Sequence, residues 1–210
     1  MFTGIVTDIG RVRDVTAPPG RDVRFVIETA YDTAGIALGA SICCAGCCLT
    51  AVETGPGWFA VDASAETLSC TTLGAWRAGH RINLERALKA GDELGGHLVS
   101  GHVDGVGTVT EVKPENGSLR LSFAVPQALG RYIAAKGSVA VDGVSLTVNE
   151  VTDRGEVTGF GVNIIPHTQS ATTLGTLAAG ARVNVEVDVM ARYVARLNEA
   201  SPRSRSAKPS

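Results

Sequence analysis

No stretch of this chain stays apolar for anything close to the ~20 residues that a membrane-spanning helix requires. Aromatic residues are scarce, at 5%. Charge is thin as well: charged residues make up 19% and the formal net charge is -2, so nothing points to a nucleic-acid partner or an acidic membrane surface. Residues Met1 to Asp8 lack a basic segment followed by an apolar run, so no signal peptide is expected. Cysteine is present in an odd number, five, with four of them at positions 43 to 48. An odd set without a signal peptide points to reduced thiols in the cytoplasm.

What the chain does have is glycine, 25 residues in 210, and a hydrophobic content of 44% that can supply a core. Its apolar stretches are short and β-branched, as in residues 24–28, 107–112 and 181–187. Turn residues separate them at Pro18-Pro19-Gly20, Gly55-Pro56-Gly57 and Pro114-Glu115-Asn116-Gly117, which read as hairpin tips. Many short strands with such turns indicate a barrel or a sandwich.

The chain also repeats itself. Shifted by 97, Gly4, Val6, Gly10 and Val12 fall on Gly101, Val103, Gly107 and Val109, and Ser41, Gly46, Leu49 and Thr50 fall on Ser138, Gly143, Leu146 and Thr147. Past a small insertion the shift becomes 101, and residues 71–74 fall on 172–175, while Arg81, Asn83 and Glu85 fall on Arg182, Asn184 and Glu186. Such a run of matches marks a duplicated unit. Each copy has room for about six strands of ~5–6 residues, the size of a small closed barrel without exposed edges. The expected fold is all-β: two tandem, similar six-stranded antiparallel β-barrels with short helices, plus a C-terminal α-helix. The expected domains are 1–97, 98–187 and a terminal segment 188–210.

In each copy a short helix ended by glycine is expected, from Glu66 to Gly74 and from Thr168 to Gly175. Met190, Val194 and Leu197 form the apolar stripe of a C-terminal helix of about three turns. That helix packs either on its own barrel or on copies of itself. Residues 201–210 are Ser-, Pro- and Arg/Lys-rich and read as disordered.

Comparing the copies separates scaffold from function. Ile5 is matched by His102, Cys48 by Ser145, Asp62 by Asn163 and Glu66 by His167, whereas Thr50 and Thr147, and Thr67 and Thr168, stay the same. Most of these positions stay polar while their chemistry changes, as expected of two related sites that hold similar ligands for different tasks. The Cys44-x-x-Cys47 pair, with His97 and His102, raises the question of zinc. The second copy has Val141, Val144 and Ser145 at the places of Cys44, Cys47 and Cys48, and no second close cysteine pair exists. Cys43, Cys44 and Cys47 therefore read as small core residues in a strand. His97 and His102 bracket a glycine-containing segment at the copy junction and read equally as structural or functional.

Six segments in this order resemble the riboflavin synthases of the alpha-chain type: Met1-Phe2-Thr3-Gly4-Ile5-Val6, residues 46–50, residues 66–74, Gly95-Gly96-His97-Leu98-Val99-Ser100-Gly101-His102, Asp142-Gly143-Val144-Ser145-Leu146-Thr147 and Ile165-Pro166-His167-Thr168. The resemblance runs from residue 1 to about 197. It departs at Ala45, where a more polar residue such as Asn is expected before the glycine. It implies two β-barrels and a C-terminal helix that assembles a homotrimer. It implies a transferase that converts two molecules of 6,7-dimethyl-8-ribityllumazine into riboflavin and 5-amino-6-(D-ribitylamino)uracil by moving a four-carbon unit, with no metal and no organic cofactor. A lumazine synthase is a possible partner, and the site lies between barrels of neighbouring subunits. The alternative within the same fold is an antenna-type protein that holds a lumazine or flavin without turning it over.

By the same resemblance, Gly4, Ile5 and Val6, Cys48, Leu49 and Thr50, and Asp62, Ala63, Ser64, Ala65, Glu66 and Thr67 line the N-barrel pocket. Gly101, His102 and Val103, Ser145, Leu146 and Thr147, and Asn163, Ile164, Ile165, Pro166, His167 and Thr168 line the C-barrel pocket. Ser41 joins the substrate-binding set, and Lys136 reaches in from a neighbouring subunit. Asp62, Thr50, Asn163 and Thr147 suit a polyhydroxylated ribityl chain. His102 is the candidate for proton transfer, because imidazole titrates near neutrality. Cys48 or Ser145, with Thr147 nearby, is the candidate to position or attack the ring.

Overall fold

The computed structural model describes residues 1–200, and the tail expected to be disordered, 201–210, lies outside the described residues. Twelve strands form two closed antiparallel barrels. In the first, β1 (Asp8–Thr16), β2 (Val23–Glu28), β3 (Ser41–Cys44), β4 (Cys47–Gly55), β5 (Trp58–Ala63) and β6 (Arg81–Arg86) close in the order β1-β2-β5-β4-β3-β6. In the second, β7 (Gly105–Glu115), β8 (Ser118–Pro126), β9 (Ser138–Val141), β10 (Val144–Arg154), β11 (Val157–Ile164) and β12 (Arg182–Val187) close in the same cyclic order. Bulges bend corresponding strands at corresponding places: Val12/Asp14 in β1 and Val109/Glu111 in β7, Ala51/Glu53 in β4 and Val148/Glu150 in β10. An extra residue sharpens twist and bending, which lets six short strands close.

Alternation along the strands sends one side chain in two to the axis. Phe25, Ile27, Phe59, Ile82 and Leu84 fill the first barrel, and Leu121, Phe123, Phe160, Val162 and Val185 fill the second. The barrel interiors are therefore packed, and any ligand must sit on an outer face.

Each copy's short helix differs from the single glycine-ended helix read from the sequence. α1 (Ala65–Cys70) stops, and a separate 3-10 turn follows over Thr72–Ala75. Residues 166–171 and 173–176 repeat this in the second copy. Threonine causes the break. Thr71 is extended, with φ -134°; its hydroxyl donates to the Thr67 carbonyl and accepts from the Leu73 N–H, and Thr172 does the same. Gly74 serves by its size: an added Cβ would lie 3.1 Å from the Leu68 carbonyl oxygen. The second barrel also carries α2 (Gln127–Gly130) and α3 (Pro166–Ala171).

The cysteine run is not one strand. Ala45 and Gly46, with φ of 46° and 85°, form a two-residue turn between β3 and β4, so Cys43 faces Cys48 and Cys44 faces Cys47. Cys44 and Cys47 belong to the first barrel's core, whereas Cys43 packs with Phe2, Val99 and Ala140 between the barrels.

The two barrels are locked as one body. Asn83 donates to the Asp142 carbonyl and accepts from the Thr173 N–H; Asn184 donates to the Ala45 carbonyl and accepts from the Thr72 N–H. Each asparagine thus satisfies two backbone groups of the opposite barrel, groups that cost about 1–3 kcal/mol each when left unpaired in the interior. Phe2 and Val99, both fully buried, pair their backbones in a bridge across the junction.

α4 (Val189–Ala200) follows β12 after the single residue Asp188. It meets the second barrel through Arg192–Asp104 and Arg131–Glu199 ion pairs. Met190, Tyr193 and Val194 on it are 65%, 64% and 53% exposed in the single chain.

Candidate functional site

The segments that lead into β1 and β7 are exchanged between the barrels. Gly4 leads into the first barrel, yet its carbonyl accepts from the Ser145 N–H of the second at 2.9 Å. Gly101 leads into the second barrel, yet its carbonyl accepts from the Cys48 N–H of the first at 2.8 Å. Both approaches require glycine. Gly4 and Gly101 have φ of 77° and 78°, and added Cβ atoms would fall 2.5 Å from the Ser145 Cβ and 2.6 Å from the Cys48 Cβ. The sequence grouped Gly4–Val6 with the N-barrel pocket and Gly101–Val103 with the C-barrel pocket, whereas Gly4 packs on Ser145 of the second barrel and Gly101 on Cys48 of the first.

A carboxylate anchors each strap. Glu85 accepts from the N–H groups of Thr3 and Gly4 and from the Thr3 hydroxyl. Glu186 accepts from the N–H groups of Ser100, Gly101 and His102. Burial raises both carboxyls above their ordinary values, against the pull of these N–H donors.

On the first barrel the exchange leaves a cavity of about 320 Å³ lined by Cys47, Cys48, Glu66, Thr67, Cys70, Thr71, Gly101, His102 and Val103. Of these, Cys48, Glu66, Thr67, Gly101, His102 and Val103 are among the residues the sequence singled out for the pockets, and Cys47, Cys70 and Thr71 are not. Cys70 stands four residues after Glu66 on one helix face, and its thiol donates to the Glu66 carboxylate at 3.2 Å. Burial pushes the Cys47 thiol up to about 12, so it stays neutral.

The other sequence candidates lie outside the lining of this cavity. Leu49, Ala63, Leu146 and Ile164 are buried barrel-core residues. The Ser64 hydroxyl accepts from the Thr67 N–H and caps α1, while its counterpart Ile165 precedes Pro166 at the start of α3. Thr50 pairs in register with Ser41, and Thr147 with Ser138, on the outer faces beside Cys48 and Ser145. Asp62 is bound by Arg24, which also pairs with Glu53, and Asn163 lies in register with Arg120, which pairs with Glu115 and Glu150. Ala65, Pro166, His167 and Lys136 are exposed, Thr168 is half-buried, and Lys136 holds a left-handed φ of 67° with its N–H on the Val148 carbonyl.

The second site has a feature that comparison of the copies missed. The His97 Nδ1 lies 2.7 Å from the Ser145 hydroxyl. Burial lowers the imidazole's pKa, while Asp188 pulls the other way, which favours the neutral ring. His97 belongs to the linker between the copies and has no counterpart in the first one. At the two crossings a thiol, Cys48, thus lies beside the His102 strap, and a hydroxyl, Ser145, beside the His97 imidazole. A neutral imidazole beside a hydroxyl can take its proton or orient it.

The lumazine binding domain family matches the chain twice, over residues 3–87 and 100–188. The chain is 51% identical over 202 residues to the riboflavin synthase of Brucella abortus (strain 2308), covering 94% of this chain and 98% of that protein. It is 43% identical over 203 residues to that of Mycobacterium tuberculosis (strain ATCC 25618 / H37Rv), with coverage of 94% and 98%. Among solved structures it resembles LumP complexed with riboflavin, at 27% identity and a TM-score of 0.80, covering 89% of this chain and 99% of that one. LumP complexed with 6,7-dimethyl-8-(1'-D-ribityl) lumazine matches at 26% identity and a TM-score of 0.77, with the same coverage.

Proposed function

This chain belongs to the riboflavin synthase family, and on that premise we propose that each barrel, with the strap lent by the other copy, holds one 6,7-dimethyl-8-ribityllumazine. The enzyme is a transferase of the last step of riboflavin biosynthesis. One lumazine gives up a four-carbon unit to the other, leaving riboflavin and 5-amino-6-(D-ribitylamino)uracil.

The observation that carries this reading is the exchanged pair of straps, Gly101 on Cys48 and Gly4 on Ser145. Two identical reactants call for two similar sites, and two different roles call for unlike polar groups at matched positions. Holding the reactants in one orientation is worth ~7–11 kcal/mol of barrier. Gly101, His102, Val103, Cys48, Thr50, Glu66 and Thr67 form the site on the first barrel. Gly4, Ile5, Val6, Ser145, Thr147, Asn163, Ile165, His167 and Thr168 form the site on the second. His102 and the Ser145–His97 pair are the groups proposed to move protons, and Cys48 faces the ring. Thr50 and Thr147 hydrogen-bond the ribityl chains.

Assembly completes the reading. Met190, Tyr193 and Val194 of α4 present an apolar surface on the chain. Copies of the chain packed through it form a homotrimer, in which Lys136 reaches a neighbour's site and the two lumazines meet across subunits. The five free cysteines fit a reducing, cytoplasmic setting. A lumazine synthase, which would supply the substrate, is the proposed protein partner, and co-sedimentation of the two purified proteins tests it.

The likeness to LumP keeps one rival reading, a binding protein without turnover. Purified protein mixed with 6,7-dimethyl-8-ribityllumazine alone separates the two. Growth of riboflavin absorbance is expected; ligand that binds and stays unchanged would favour the binding protein.

A further inference from the structure

We infer that Arg192 and Asp104 are positioning residues for the cavity on the first barrel: through their ion pair, the C-terminal helix fixes the strap that carries His102 into that cavity. The inference rests on reading the cavity as a lumazine site.

The strap from Ser100 to Asp104 is held at both ends by the last strand of the second barrel. At its start, Glu186 of β12 accepts from the N–H groups of Ser100, Gly101 and His102. At its end, the Asp104 N–H donates to the Val185 carbonyl at 2.9 Å, and the Asp104 carboxylate accepts from the Val187 N–H at 2.8 Å. The same carboxylate receives the Arg192 guanidinium at 3.0 Å. Its side chain is only 17% exposed, so this contact is less screened than an open surface pair. His102 and Val103 lie between the two anchors and line the cavity.

The helix that carries Arg192 begins one residue after β12 and is tied again near its end by Arg131–Glu199. Any displacement of α4 is therefore passed to Asp104, and through it to His102. Among the described residues, the other strap has no ion pair to α4. Thr7 stands where Asp104 stands, and its hydroxyl meets the Tyr31 hydroxyl at 2.5 Å within the first barrel. The strap that carries His102 is thus coupled to the helix whose apolar side faces away from the chain. Packing of α4 against other copies would thereby set the geometry of that site.

Full-length Asp104→Asn, Arg192→Ala, the double variant and Arg192→Lys test this. The probes are a lumazine analogue without the 7-methyl group, which cannot react, and amide hydrogen exchange at Gly101 and His102. Each of the first two variants is expected to weaken one of the two binding events roughly three- to fivefold, to raise KM more than it lowers kcat, and to speed exchange at those amides. The double variant should be no worse than the weaker single, and Arg192→Lys should restore most of the affinity. Unchanged exchange and affinity in both singles, or additive losses in the double, would overturn the inference. Faster exchange in a protein whose wild type binds no analogue would instead remove the lumazine reading and leave the coupling standing.

Discussion

The Cys48 N–H donates to the Gly101 carbonyl at 2.8 Å, so a residue near the start of the second repeat closes onto the first barrel. In its mirror contact the Ser145 N–H of the second barrel donates to the Gly4 carbonyl at 2.9 Å. Duplication here does more than place two barrels side by side; each barrel receives a backbone strap from the other copy.

Cys48 and Ser145 should respond differently to exchange of sulfur and oxygen. Cys48→Ser is expected to lower kcat tenfold or more, ~1.4 kcal/mol in the transition state, with little change in ligand affinity. Ser145→Cys is expected to weaken binding, because the contact with His97 is lost as a strong hydrogen bond. Steady-state kinetics and ligand titration on the two variants check this. Wild-type turnover in Cys48→Ser would reduce Cys48 to a wall residue.

His97 should matter to chemistry more than to folding. His97→Gln retains a group able to hydrogen-bond Ser145 but cannot cycle a proton. The expected outcome is a fall in kcat of about 10²-fold, in the range of general acid–base catalysis, with a near-wild-type melting temperature. The pH profile of kcat should lose its acid limb along with the imidazole. An unchanged profile would place proton transfer on His102 alone.

Asp142 predicts a pH dependence of stability. It is buried at the tip between β9 and β10, accepts from the Asn184 N–H at 2.8 Å, and is pushed up to about 7 by burial. Its folded value lies above its unfolded one, so the native state binds the extra proton. Stability is favoured below about 4 and is lost as pH rises to about 7, by an amount on the order of a few kcal/mol. Asp142→Asn keeps the acceptor and tolerates the φ of 45° there. Its melting temperature should vary less than wild type between pH 5 and 8 and exceed it at pH 8. A variant that melts lower at every pH would contradict this.

Truncation before Asp188 removes α4 and the Arg192 anchor together. The expected product sediments as a monomer with strongly reduced activity. An intact and fully active oligomer after truncation would exclude α4 from assembly.

The repeat, the barrels and the C-terminal helix were legible because hydrophobic alternation and matched glycines repeat across the chain. The exchange of straps was not. Gly4 and Gly101 occupy equivalent places, so pairing within a copy and pairing across copies predict the same sequence. The turn inside the cysteine run was legible only through the resemblance, which expects Asn before Gly46; by residue type alone it is masked, because Ala45 at a left-handed φ of 46° lacks the Asn or Asp that usually marks such a turn. His97 escaped the site set because it lies in the linker, where there is no second copy to compare. The broken helices escaped because a threonine that bonds its own backbone looks, in sequence, like any helix residue.

The most direct measurement counts ligands. Equilibrium titration with a lumazine analogue lacking the 7-methyl group reads occupancy without turnover. Two molecules per chain are expected, with unequal affinities, and Ser145→Cys should weaken only one of the two. One molecule per chain, or two equivalent sites that the substitution weakens alike, would contradict a pair of unlike sites built by exchange between the copies.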